Sequence, residues 1–167
     1  MTTTVIPITT FAQRVRHARL ARAMQLQVIE QRAGIGKGAL HQLELGADQH
    51  CATVLRIAAA MDVDPRWLVD EAPIDPQARV PWCEVLPTAR TYADVARDIG
   101  PRIRAARRWR GMTCAELARR AKYLGNIAGQ YESGRHAPRL GTARRLADAL
   151  DVDVVWLISG EGPDPWD

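Results

Sequence analysis

Cysteine, histidine, carboxylate and arginine are the side chains that could do chemistry in this chain, and their spacing narrows the kind. Cys51, Cys83 and Cys114 are odd in number and far apart, without the CxxC spacing that a zinc site or redox pair needs. They read as free thiols of a cytoplasmic protein. His17, His41, His50 and His136 are scattered too, with neither HExxH nor another ligand spacing, so neither a metal nor a cofactor is expected. No nucleophile–base pair, paired carboxylates or glycine loop for phosphate stands out, and an enzyme is not expected. Arginine is what abounds: of the 23 cationic side chains, all but Lys37 and Lys122 are arginine. A guanidinium forks bidentately onto phosphate or guanine. Richness in arginine and alanine also follows from codon composition alone.

The formal net charge of +4 is too mild for a nonspecific coat on nucleic acid. Residues 1–90 carry ten basic and nine acidic side chains and residues 91–167 thirteen and ten, so most of the excess lies in the second half. With 167 residues, 47% hydrophobic and 25% charged, the chain suits one medium or two small globular domains and not wholesale disorder. The start, MTTTVIPITTFAQR, has no basic region followed by a long apolar run, and no stretch of about 18 apolar residues occurs. Neither export nor membrane insertion is expected.

Stepping the sequence by 88 positions exposes an internal repeat. Arg14-to-Met24 (RVRHARLARAM) falls on Arg102-to-Met112 (RIRAARRWRGM), and the same shift pairs Ile29 with Leu117, Gln42 with Gln130, Glu44 with Glu132 and Gly46 with Gly134. After one inserted residue, LRIAAAMDVDPRWL from Leu55 falls on RRLADALDVDVVWL from Arg144. The chain is expected to hold one domain twice, over residues 9–70 and 91–162, with a tail at 163–167. Pro73, Pro76, Pro81 and Pro87 mark residues 71–90 as a linker that no continuous helix can span. At ~3.1 Å per residue it reaches roughly 60 Å, more than the ~34 Å between successive major-groove faces, so both domains can sit on one duplex. Trp82 and Cys83 are odd in a solvated tether, and part of the linker either packs on a domain or a second subunit or stays in solvent.

Each copy reads as five short helices, and no segment alternates as a strand does, so the fold class is all-α. In the first copy Thr10 is a candidate N-cap ahead of Phe11, Val15 and Ala18 on one face. A second helix over about 26–33 ends at Gly34, a third spans about 37–44, a fourth about 53–61, and Pro65 opens a fifth over about 65–69. In the second copy the matching starts fall near Pro101, Thr113, Gly125, Leu140 and Val154.

This order of residues resembles the lambda-repressor/Cro-like (XRE-type) helix-turn-helix family, over about 60 residues per copy. The markers in the second copy are Thr113, Glu116-Leu117-Ala118, Glu132, Gly134, Pro138, Leu146-Ala147, Trp156-Leu157 and Ser159-Gly160; in the first, Gly34 in the turn and Glu44-x-Gly46. The resemblance implies two tandem five-helix domains and a third helix in each that enters the major groove. Its base-reading side chains would be Lys37, Gly38, His41 and Gln42 in copy one, and Gly125, Asn126, Gly129 and Gln130 in copy two. Arg135, His136 and Arg139 would touch phosphates, which position a protein without reading sequence. Arg19 with Glu44, and Arg107 with Glu132, would be architectural salt bridges. Trp67 and Trp156 would belong to the core or a subunit contact.

Two departures stand out. Where the family commonly has a glutamine that braces the reader and touches a phosphate, this chain has Leu26 and Cys114. The readers are also rich in glycine, each costing about 0.5–1 kcal/mol against alanine.

The implied function is a double-stranded-DNA-binding transcriptional regulator, a repressor by expectation, with readers in successive major grooves of an operator. A homodimer is an open expectation. The alternative is an interaction protein of the same fold, an anti-activator or anti-repressor, whose reader faces bind protein; Leu26, Leu124 and Ile127 motivate it.

Overall fold

A computed structural model describes residues 7–70, 72–75, 77, 79–81, 91–123, 126–162 and 165–166. Regular structure among them is helical: α1 (Phe11–Ala21), α2 (Leu26–Ala33), α3 (Ala39–Glu44), α4 (Cys51–Met61), α5 (Pro65–Val69), α6 (Tyr92–Trp109), α7 (Cys114–Arg120), α8 (Ile127–Glu132), α9 (Leu140–Leu150) and α10 (Val154–Ser159). The chain is all-α; two isolated antiparallel bridges, Ile8 with Ile74 and His50 with Arg139, add no strand among the described residues. None of these helices is long and apolar enough to cross a membrane. Two compact units result, Met1–Ala47 with Leu55–Ala89, and Asp48–Val54 with Arg90–Asp167.

In the first unit α1 starts at a reciprocal cap: Gln13 N donates to Thr10 Oγ1 at 3.2 Å, and Thr10 N donates to Gln13 Oε1 at 3.1 Å. Phe11, Val15 and Ala18 then fall on one face and are buried, and α1 packs against α3 and α5. Arg14 shares that face and is 0% exposed. Its guanidinium donates to Trp67 O at 2.7 Å and to Ala72 O, satisfying carbonyls at and beyond the end of α5. Of the proline-rich stretch, Ile8 and Ile74 exchange two backbone hydrogen bonds of 2.9 Å, and Val80 is buried. Trp82 and Cys83 lie outside the described residues.

In the second unit the first helix departs from expectation. It starts at Tyr92, not near Pro101, and Pro101 sits inside it. A proline at that point removes one hydrogen bond and costs ~3 kcal/mol. Two features offset the cost. Thr91 and Asp94 form a capping box, and Val95, Ile99 and Ile103, four residues apart, extend one fully buried stripe straight past the proline. Gly100 lies on the same side, where a Cβ would stand 2.6 Å from Tyr131 O; α6 thereby approaches the end of α8 closely. The third helices are shorter than expected, starting at Ala39 and Ile127, while α4 starts earlier, at Cys51.

Chain reversals recur at the spacing of the sequence repeat. Positive φ is adopted at Ala23 and Gly111 (50° and 65°), Gly34 and Lys122 (58° and 58°), and Asp62 and Asp151 (55° and 54°).

Candidate nucleic-acid interface

The start of α3 is held from a distance. Gly38 precedes the helix with φ 81° and offers no side-chain cap, but Glu30 of α2, buried, accepts Leu40 N at 3.1 Å. Leu40 and Leu43 face inward, which turns His41 and Gln42 to solvent. Lys37 and Gly38 lie ahead of the helix and are exposed too. Gln42 follows Gly38 by one helical turn, so an exposed polar edge runs from Lys37 to Gln42.

The start of α8 is held locally. Asn126 Oδ1 accepts Gly129 N at 3.1 Å, and the amide folds so tightly over the helix that a Cβ on Gly129 would stand 2.5 Å from Oδ1. Glycine in this helix is thus explained by the cap beside it. Asn126 and Gln130, one turn apart, are exposed; Ala128 and Glu132 are buried. Gly125 lies outside the described residues.

Both short helices are tied to a longer one by the same bidentate ion pair. Arg19 Nε and Nη2 donate to Glu44 at 2.6 and 3.0 Å; Arg107 Nε and Nη2 donate to Glu132 at 2.6 and 2.9 Å. Arg107 also donates to Met112 O at 2.8 Å, pinning the turn before α7. Arg104 adds a contact of 3.4 Å to Glu132 Oε2. Burial works against ionisation of the Glu132 carboxyl, yet hydrogen bonds and charge from Arg107, with Arg104 behind them, outweigh it and hold its pKa below the usual carboxylate range. Cys114, where the resemblance implies a glutamine, turns its thiol toward Glu132 Oε1 at 3.8 Å. Cys51 is buried, which pushes its thiol pKa up and keeps it protonated.

After α8, Arg135 and His136 are exposed in a loop that ends at Arg139. Ala137 N donates to Tyr92 Oη at 3.1 Å, and Arg139 Nη1 donates to Asp48 O at 2.7 Å.

Residues 98–155 match the family described as a helix-turn-helix domain. The matched stretch lies within the second unit. It takes in most of α6, then α7, the turn at Lys122, α8, α9 and the first residues of α10. The HTH-type transcriptional regulator PrtR of Pseudomonas aeruginosa is similar, at 34% identity over 65 residues, which are 39% of this chain and 25% of that protein. The chain thus spans a quarter of the length of the curated relative it matches. No solved structure matches the chain.

In the matched stretch the capping role of Asn126 was not expected from the sequence, although Asn three residues ahead of a helical amide is a local cap signal. Glu30, Asp48 and Tyr92 carried no such signal. Each acts on a residue at least ten positions away.

Proposed function

We propose that the chain is a sequence-specific regulator of transcription that binds double-stranded DNA, as a repressor, with α3 and α8 as the readers of two tandem helix-turn-helix domains. One observation carries the reading: the same bidentate Arg–Glu pair, repeated 88 residues on, presents a short helix with an exposed polar edge twice in one chain. The recurring positive-φ turns support the duplication. An amide such as Gln42 or Gln130 offers a donor and an acceptor together, the pattern adenine presents in the major groove. Lys37 serves guanine or a phosphate, and His41 lies beside it. In the second reader Asn126 has its Oδ1 engaged at Gly129 N, which leaves its NH₂ to donate. Arg135, His136 and Arg139 contact the backbone. The two edges differ, so the two half-sites differ.

Selection of bound duplexes from random DNA, followed by anisotropy titration of the selected site, tests this. Gln42→Ala and Gln130→Ala should each weaken specific binding by about 1–3 kcal/mol and relax preference at one half-site. Unchanged affinity in both variants would remove α3 and α8 as readers.

One observation favours a second reading, in which a reader face binds protein. Leu45, at the end of α3, is 69% exposed, and Leu20 on α1 is exposed as well. Association with a protein that ignores salt, without salt-sensitive binding to duplex DNA, would establish that reading.

A further inference from the structure

The loop between α8 and α9 is clamped by residues outside residues 98–155. Arg139, the N-cap residue of α9, makes no side-chain cap. The first amides of α9 go elsewhere: Gly141 N donates to Asp48 Oδ1 at 3.2 Å, and Leu140 N donates to Gln49 O at 2.7 Å. Asp48 stands in for the missing cap. Its carbonyl also takes Arg139 Nη1 at 2.7 Å. Cys51 N donates to Pro138 O at 3.1 Å, closing the bridge between His50 and Arg139. The His50 ring meets Tyr92 edge-on at 5.1 Å, and the Tyr92 hydroxyl in turn accepts Ala137 N. Each residue from Ala137 to Gly141 is therefore held by one of these bonds, all within the second unit.

We infer that Asp48 and Tyr92 are positioning residues for a DNA-backbone contact made by this loop: they fix the Arg139 guanidinium and the loop that carries Arg135 and His136. The argument is one of preorganisation. A long arginine side chain loses much of its rotamer freedom when it must be ordered at the moment of binding. One held beforehand by a carbonyl, with its remaining N–H groups open, loses less. The inference rests on the DNA-binding reading proposed above.

The test uses the full chain and a short random-sequence duplex, with affinity measured across a salt series. Wild type should bind with log K falling steeply as salt rises. Arg139→Ala should lower that slope by about 0.9, the value of one phosphate contact. Asp48→Ala removes the Oδ1 that holds Gly141 N but keeps the main-chain carbonyl that meets Arg139 Nη1, so it should loosen the loop and lower affinity several-fold at an unchanged slope, and it should add little in the Arg139→Ala background. Asp48→Asn keeps an oxygen for Gly141 N and should restore wild-type affinity. Tyr92→Phe, which removes only the hydroxyl, should weaken binding in the same direction and covers the case in which Asp48→Ala fails to fold. Unaltered affinity in folded Asp48→Ala and Tyr92→Phe, or additive losses in the double variant, would overturn the inference and leave DNA binding standing. Wild type without affinity for duplex DNA at low salt would overturn both.

Discussion

Arg107 Nε lies 2.6 Å from Glu132 Oε1 while Arg107 Nη2 lies 2.9 Å from Oε2, with both side chains largely withdrawn from water. The pair joins α6 to the end of α8, so it sets where the polar edge of α8 is presented. Removing one partner strands the other in a poorly solvated place. Glu132→Ala is expected to cost about 3 kcal/mol of folding stability, and Arg107→Ala a similar amount. The double variant should cost clearly less than the sum. Urea denaturation followed by tryptophan fluorescence gives all three values, and simple additivity would mean the pair does not couple the helices.

The same pair makes stability depend on pH. The folded Glu132 pKa lies below its ordinary value, so the unfolded chain takes up the proton first as pH falls. The stabilisation is complete above the ordinary carboxylate range and drains away as pH drops through the folded value. The gap between wild type and Glu132→Gln should therefore narrow on acidification. A gap that holds constant from neutral to strongly acid pH would show that ionisation of Glu132 contributes nothing.

Asn126 and Gly129 form a second coupled pair. Asn126→Ala should cost about 1 kcal/mol as a lost cap. Gly129→Ala displaces the capping amide, since the new Cβ would fall 2.5 Å from its oxygen; the gain of ~0.5–1 kcal/mol from alanine in a helix roughly cancels that loss. With Asn126 already removed, the same Gly129→Ala change should stabilise. Equal effects in both backgrounds would separate the two residues.

Arg14 and Arg102 perform related tasks at different depths. Arg14 is wholly buried and bonds Trp67 O at 2.7 Å, whereas Arg102 is part-exposed and bonds Leu157 O and Ser159 O at 3.1 and 3.2 Å. Methionine fills similar volume but donates nothing. Arg14→Met should cost about 2 kcal/mol or more by leaving carbonyls unpaired, and Arg102→Met distinctly less, because water reaches its site. Thermal unfolding ranks them, and the reverse order would contradict this account.

Local and repetitive features were legible in the residues alone. The internal repeat needs only comparison of the chain with itself, and Gly34 at the end of α2 and Pro65 at the start of α5 obey rules that act within a turn or two. The family resemblance those residues carry also implied exposed polar helices where α3 and α8 lie. The tertiary structure alone decided how those helices are held. The start of α6 at Tyr92 depends on a stripe of burial crossing Pro101, where a local rule places a helix beginning. The cap on Leu40 N comes from Glu30 on the preceding helix, and that on Gly141 N from Asp48, 93 residues earlier. Helical periodicity and capping preferences describe how a residue treats its neighbours along the chain. Which distant carboxylate meets an open amide is settled only when packing brings the two into reach.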